Sequence, residues 1–449
     1  MPYTCFLLAA LLVPVLLDDD LSTLIDQLGS PRFSTRESAQ QSLLELGARV
    51  IPLLHTAQEH RDLEVKARAT TILHEVESRL VLEPVRIERW THPISLGAVV
   101  EALSQSGGRP IRLDQVKGLE HAQVAPLPLD VEPSYWNVVR HLEQSCGVRA
   151  VSVMEGEDDE TTVSACLTLV ASRRSAPGFV KDQGPFRTKL LSANVHKNQN
   201  FEPTLGEMEE PEAFRVFTLQ LQVMSEPRLI LFATSGVRLE LASDELGHSL
   251  IKREHAPGEL AGQLPIFESP LMLLDGGSGP CLTTTMELAL PEQPGRLVQK
   301  LKGTIPLTVL QRRSTPLQIT LNESAGRSYE NGSFRLAIKS VELAPVDAQP
   351  SVEIELSTRE NTDSALASLV HGPGMNLAQL LEHLCEVVDS QGKPMTVVPI
   401  EIDEESGSIR MRLAILPSDP SRKPVRLAFY DAIVASQDIP FEFQDVPIP

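Results

Sequence analysis

Catalysis needs a nucleophile, a general acid or base, or a set of metal ligands at usable spacing, so those residue types are considered first. His383 and Cys385 stand two apart, which on a strand puts both on one face, the arrangement a Cys–His dyad would need. The sequence supplies neither an oxyanion donor nor a third orienting group for them, so the expectation is a buried Cys385 beside a partly exposed His383. Asp244 and Asp389 each open an Asp-x-x-Gly element. Calcium takes six or more oxygens and neither loop is that acidic, so a hairpin turn is expected, with aspartate as local acceptor and glycine at positive φ. His55, His60 and His74 read as solvated helix histidines rather than a metal site. Gly276-Gly277-Ser278-Gly279 precedes Pro280 with no helix behind it to hold a phosphate, and reads as a loop. With 60 acidic residues, spacing alone singles out no carboxylate pair. There is no HExxH, GxSxG, P-loop or GxGxxG opening a helix. The reading is of a non-enzymatic chain: no catalytic, cofactor-binding or metal residue is assigned, and no cofactor is expected.

Bulk composition narrows the partners. The formal net charge is -20, and phosphate backbones are bound by releasing counterions to Lys and Arg, so nucleic acid is not expected. The 449 residues exceed one ordinary core and suggest three or four domains; few aromatics (4%) and many prolines (34) suit short strands joined by turns. Residues 5–17 form an apolar run that stops at Asp18-Asp19-Asp20. The run is too short to span a bilayer and suits the apolar region of a signal peptide, although no Lys or Arg precedes it. Residues 1–20 are therefore read as a signal peptide or N-terminal anchor, with the rest exported to the periplasm or cell envelope. No other segment approaches the length of a transmembrane helix. Of the cysteines, Cys5 falls in that leader. Cys146, Cys166, Cys281 and Cys385 lack CxxC spacing and are expected to be thiols, with a Cys146–Cys166 pairing left open.

The elements that would position any site fall into three groups. Residues 21–82 have helical periodicity. Ser34 to Glu37 reads as a capping box, Gly47 as a left-handed helix end, and Asp62 as the cap of a later helix. The string FSTRESAQQSLLELGARVIPLLHTAQEHRDLEVKARATTILHEVE resembles a HEAT-type helical repeat. Only one or two repeats fit, so the module is expected to pack on a neighbour or another chain.

Residues 83–172 are expected to form a small α+β domain, and 84–153 within it carry one pattern twice, offset by 39. Val99, Val100, Leu103 and Gly108 recur as Val138, Val139, Leu142 and Gly147. Each copy predicts a strand (85–90; 128–131), an amphipathic helix, and a second strand (111–113; 149–153). PISLGAVVEALSQSGGRPIRLD and LDVEPSYWNVVRHLEQSCGVRAV resemble the small α+β domain at the N-terminus of secretins and TonB-dependent receptors. That resemblance implies a periplasmic docking module. Trp90, Tyr135 and Trp136 are expected in its core, and the acidic run 155–160 as a solvated turn.

Beyond residue 184 alternating segments predict strands at 186–191, 214–223, 229–232, 237–241, 282–290, 296–301, 304–310, 334–343, 352–356, 395–398, 409–416, 425–430 and 441–443. Three matches recur in order: Gly184-Pro185-Phe186-Arg187 with Gly332-Ser333-Phe334-Arg335, the Asp244 and Asp389 elements, and Leu290-Pro291 with Leu416-Pro417. Two tandem antiparallel β-sandwiches are expected, 184–321 and 332–449, or alternatively one larger sandwich whose halves pair. The fold class is thus multidomain α+β, mostly β. The whole layout, ending in FEFQDVPIP, resembles a group of uncharacterised exported bacterial proteins. The expected role is an envelope scaffold that binds a protein partner. The alternative is a carbohydrate- or peptide-binding sandwich, and the least favoured reading is a hydrolase with an unrecognised site.

Overall fold

The structure, a computed structural model, describes residues 18–114, 118–156, 163–172, 178–199, 213–233, 236–251, 281–331, 334–343, 349–358, 383–405, 408–416 and 422–449. The apolar run 5–17, residues 157–160 of the acidic run, the loop 276–279 and the side chain of Cys166 lie outside them. The chain is mostly β and divides into two compact units, Met1–Val81 and Leu82–Pro449. Among the described residues no helix is long and apolar enough to cross a membrane.

The first unit is helical: α1 (Asp18–Gln27), α2 (Phe33–Leu46), α3 (Ile51–Ala57) and α4 (Leu63–Leu82). Leu28, Ala39, Leu43, Leu54, Val65, Ala69 and Ile72 form its core. Asp62 caps α4 as expected, its Oδ1 accepting from the amides of Glu64 (2.8 Å) and Val65 (3.4 Å). The capping box does not form. Helix α2 starts two residues early, so Ser34 lies inside it and Arg32 takes the cap position without a side-chain bond. Glu37 turns instead to Arg68 on α4, 2.9 Å away, where both partners of the bond carry charge.

The second unit opens with β1 (Ile94–Ser95), α5 (Leu96–Gly107), β2 (Arg112–Asp114), β3 (Gln123–Val124), α6 (Tyr135–Cys146), β4 (Val148–Gly156) and β5 (Val163–Ala171). The 39-residue repeat is structural. Helices α5 and α6 match end to end, bury the same valines and leucine, and finish on Gly108 and Gly147 at φ 69° and 63°. Two expected strands are not strands. Residues 85–90 are extended chain tied by one bridge, Arg86 to Ser134, and 128–131 form a turn. Pro126, Pro128 and Pro133 remove the amide donors a ladder there would use. The order of the small sheet is β2-β5-β4, with β2 parallel to β5.

The β region continues as β6 (Val180–Gln183), β7 (Phe186–Gln199), β8 (Ala213–Ser225), β9 (Leu229–Ala233), β10 (Arg238–Asp244), β11 (Cys281–Ala289), β12 (Leu297–Arg312), β13 (Leu317–Thr320), β14 (Ser328–Asn331), β15 (Phe334–Glu342), β16 (Ser351–Thr358), β17 (Cys385–Asp389), β18 (Pro394–Glu405), β19 (Ser408–Leu416), β20 (Pro424–Phe429) and β21 (Ala432–Pro447). The strands expected at 296–301 and 304–310 are one, β12. Sequence duplication becomes duplication of register. Gln183 pairs with Phe186 and a bulge follows at Leu190/Ser192; Asn331 pairs with Phe334 and a bulge follows at Ile338/Ser340. Ala242 pairs with Leu301 and Asp244 with Val298; Val387 pairs with Leu427 and Asp389 with Pro424, each with a shift just before the aspartate.

Strand pairing crosses residues 321–332. The last strand, β21, pairs with β12 of the first half from Leu297–Pro447 to Arg312–Ala432. Strand β13, on the other side of the expected boundary, pairs with β20 of the second half, Ile319 facing Leu427. The core follows the same crossing: Ile230, Phe232 and Leu310 pack with Phe334, Leu336, Ile354, Val387 and Phe429. Strand pairing and core packing thus both run between residues on either side of 321–332. The physical reason is that a β-strand edge left unpaired beside β12 would expose a long row of amides and carbonyls, and β21 satisfies them.

Candidate functional site

The groups singled out by sequence do not converge. Cys385 is buried at the start of β17, and burial pushes its thiol up to about 12, so it is a neutral thiol and no nucleophile at neutral pH. His383 has helical backbone and precedes β17, so the two do not share a strand face. Cys146, Cys281 and Cys385 are free thiols. Among the described residues no group of three or more His, Cys, Asp or Glu is placed to hold a metal ion. His60 accepts the Asp62 amide (3.1 Å), and His55 lies 4.0 Å from Glu77.

The two Asp-x-x-Gly elements are matching hairpin turns. Asp244 Oδ1 accepts from Leu246 N (3.0 Å) and His248 N (2.8 Å), and Asp389 Oδ1 from Gln391 N (2.8 Å) and Lys393 N (2.9 Å). Gly247 and Gly392 close them at φ 85° and 78°. The second oxygens are also engaged, Asp244 by Gly295 N and the His248 ring (2.9 Å each) and Asp389 by Arg422 Nε (2.7 Å). Burial opposes charge on both carboxyls, but these donors outweigh it and hold each below its usual range.

A buried polar cluster lies where α6 meets β6, β7 and β4. Arg187 is fully buried, its guanidinium 4.7 Å from the Trp136 ring. Its Nε and Nη2 donate to the two oxygens of Asp182 (2.6 and 2.9 Å), Nη1 to Glu143 (2.9 Å), and Nη2 also to the Trp136 carbonyl oxygen (3.3 Å). Trp136 Nε1 donates to the Pro185 carbonyl oxygen at 2.9 Å, and Arg140 adds a second ion pair to Asp182 (2.6 Å). Burial works against the charge on Arg187, yet Asp182 and Glu143 hold it above its usual range. A second joint is built on Glu226, fully buried at the turn after β8. It accepts from Val85 N and Arg228 Nε (2.9 Å each), while Arg228 also donates to the Glu83 carbonyl oxygen (2.5 Å) and Gln311 Oε1 (2.7 Å). Burial pushes the Glu226 carboxyl up, with Arg228 and the Val85 amide offsetting part of that. Tyr135 and Trp136 are core, as expected from sequence, and Trp90 is half-buried with Nε1 donating to Ala125 O at 3.0 Å.

Lys189 completes the cluster. Its Nζ donates to the Ala150 carbonyl oxygen (2.6 Å), and burial together with the Arg187 guanidinium brings its pKa down from 10.5 to about 8. Between about pH 8 and 10.5 the unfolded chain binds a proton that the folded chain does not, so stability rises with pH across that window. Below pH 8 the folded state bears the whole cost, about 3 kcal/mol for a shift of this size. Lys189→Met removes that cost together with one hydrogen bond worth about 1 kcal/mol. The variant is expected to be more stable than wild type at pH 7 by about 2 kcal/mol, with the advantage gone by pH 10.5. Urea titrations of both proteins from pH 7 to 10.5 measure this; parallel curves rule it out.

Sequence reasoning noted Gly184-Pro185-Phe186-Arg187 only as half of a repeat. Its signal as a joint was the preceding Asp182, which has a repeat counterpart in Glu330, yet Arg335 at the matching position is exposed. The second-half face around Arg335 is instead laced by cross-strand ion pairs: Lys339 with Glu355, Arg410 with Glu353 (2.5 Å) and Arg412 with Glu342 (3.0 Å). On the inner side of that sheet Ile400 and Ile402 of β18 are exposed, 53% and 46%. Comparison of the chain with protein-family models, with curated proteins and with solved structures returns no match.

Proposed function

We propose that this chain is a non-enzymatic scaffold of the cell envelope, exported by its N-terminal apolar segment, which binds a protein partner. The observation that carries the reading is the use made of the chain's reactive and aromatic groups. Arg187, Trp136, Asp182, Glu143, Glu226 and Arg228 fasten the α+β segment to the first β half, and the Asp244 and Asp389 carboxylates brace turns. Fastening of this kind suits a body that presents surfaces at fixed spacing. The helical unit, compact by itself, is the natural attachment element, since a short helical repeat gains stability by stacking on a neighbour.

A peptide-binding role is the second reading, favoured by β18. Only its first residues pair with β17, so from about residue 397 its outer edge is unpaired among the described residues, with Ile400 and Ile402 exposed nearby. An extended peptide could add to such an edge.

Crosslinking in intact cells, followed by envelope fractionation and mass spectrometry, tests the scaffold reading. A stoichiometric envelope partner is expected, lost when residues 21–81 are deleted. Recovery of the chain from the cytoplasm without a partner contradicts both export and scaffolding.

A further inference from the structure

The strand register sets two rows of charge across the second-half sheet, Glu355-Arg410-Asp403 and Glu353-Arg412-Glu401, each running from β16 through β19 to β18. Opposite charges side by side on neighbouring strands attract, and each row alternates in sign. Both arginines nevertheless turn away from β18. Arg410 Nε donates to Glu353 (2.5 Å) and Arg412 Nη2 to Glu342 (3.0 Å), while Glu355 takes Lys339. Glu401 and Asp403, at the end of the rows, are exposed and make no ion pair among the described residues.

The opposite face ends in the same way. Ile338, Ile354 and Met411 stand in one row across β15, β16 and β19 and are fully buried; Ile402, opposite Met411, is 46% exposed. The backbone ladder stops here too, since β17 pairs with β18 only at Met395 and Pro394. Hydrogen-bond ladder, charge rows and apolar row all run out on one strand edge, and each specifies its missing neighbour. Because side chains alternate between faces, a strand added beside β18 would meet Ile402 with an apolar residue and Glu401 and Asp403 with cations. We propose that the β18 edge, residues 397–403, docks an extended segment of another protein in which Lys or Arg alternates with apolar residues. This rests on the peptide-binding reading of β18 and names the chemistry of its partner. A second copy of the chain does not fit, because antiparallel pairing of two β18 strands around Ile402 sets acid against acid.

The full chain is titrated by calorimetry with two short capped peptides of one composition, one alternating lysine with valine, the other with its lysines grouped at one end. Hydrogen exchange locates what they cover. The alternating peptide is expected to bind at least tenfold more tightly, the equivalent of about 1.4 kcal/mol, and to slow exchange at 397–403. Glu401→Lys with Asp403→Lys is expected to lose that binding and to take a peptide alternating glutamate with valine instead, although the chain stays acidic overall. The milder pair Glu401→Gln with Asp403→Asn is expected to fall between. Equal binding of the two lysine peptides signals attraction to bulk negative charge and overturns the proposal. Protection of 397–403 in wild type by glutamate and lysine alternations alike overturns the charge rule and leaves the peptide-binding reading standing; no protection by either ends both. Protection that rises with protein concentration in the absence of peptide puts a second copy on the edge and also overturns it.

Discussion

Replacement of Arg187 by methionine is expected to lower the stability of the second unit by about 3–5 kcal/mol, the usual cost of leaving buried partners of an ion pair without their counter-charge. Methionine fills much of the arginine's volume, so the loss isolates the charge. Asp182 and Glu143 would remain, the first almost wholly buried and left with Arg140 as its counter-charge. Trp136 would also lose its cation–π neighbour. Because the cluster joins α6 to β6 and β7, the expected denaturation profile changes shape as well as midpoint: the α+β segment and the β region melt separately instead of together. Asp182→Asn with Glu143→Gln in the same background should recover part of the loss, since neutral amides are cheaper to bury unpaired. A single unshifted transition for Arg187→Met would mean that the cluster adds nothing net and that apolar packing alone holds the joint.

Removal of residues 432–449 is expected to abolish cooperative folding of both β halves while leaving the helical unit intact. Strand β21 fills one side of β12 along its whole length and buries Val434, Ile439, Phe441, Phe443 and Val446. Five such side chains at about 2 kcal/mol each amount to about 10 kcal/mol, as much as the whole stability of a typical domain. If 184–321 were a self-sufficient sandwich, the truncated chain would keep it as a protease-resistant fragment. Its loss is the expected result, read by limited proteolysis and circular dichroism. A subtler probe of the same ladder is Gly303, which faces Phe441. A Cβ there would fall 2.5 Å from the Arg238 carbonyl oxygen and 2.8 Å from Phe441 Cζ, so Gly303→Val should loosen the β10-β12-β21 sheet without shortening the chain.

Much of the architecture was legible in the residues because it is written in short windows. Alternation located most β strands, and turn chemistry located the Asp244 and Asp389 hairpins down to the acceptor and the positive-φ glycine. The 39-residue repeat located two helices that match in length, buried face and terminal glycine. The reading went astray where a local signal met a distant competitor. Ser34 and Glu37 have capping-box spacing, but Arg68, 31 residues away, takes Glu37. Pro126, Pro128 and Pro133 outweighed a strand pattern around 128–131. His383 and Cys385 have strand spacing, yet β17 begins only at Cys385.

What the sequence by itself determined, then, is which segments form strands and helices, where they turn, and that the β region is built twice, since backbone preference and side-chain periodicity act within a few residues. Which strand lies beside which was decided only in three dimensions. Nothing local in β21 names β12, far away in the chain, as its partner; the choice depends on which edge remains open once the other strands are placed. The two arginines of the repeat make the same point. Arg187 and Arg335 follow the same Phe at the same register, but the first is sealed under α6 with two carboxylates and a tryptophan while the second lies in water. Burial of a charge is a property of what packs over it, and only the first half has an α+β segment to do so.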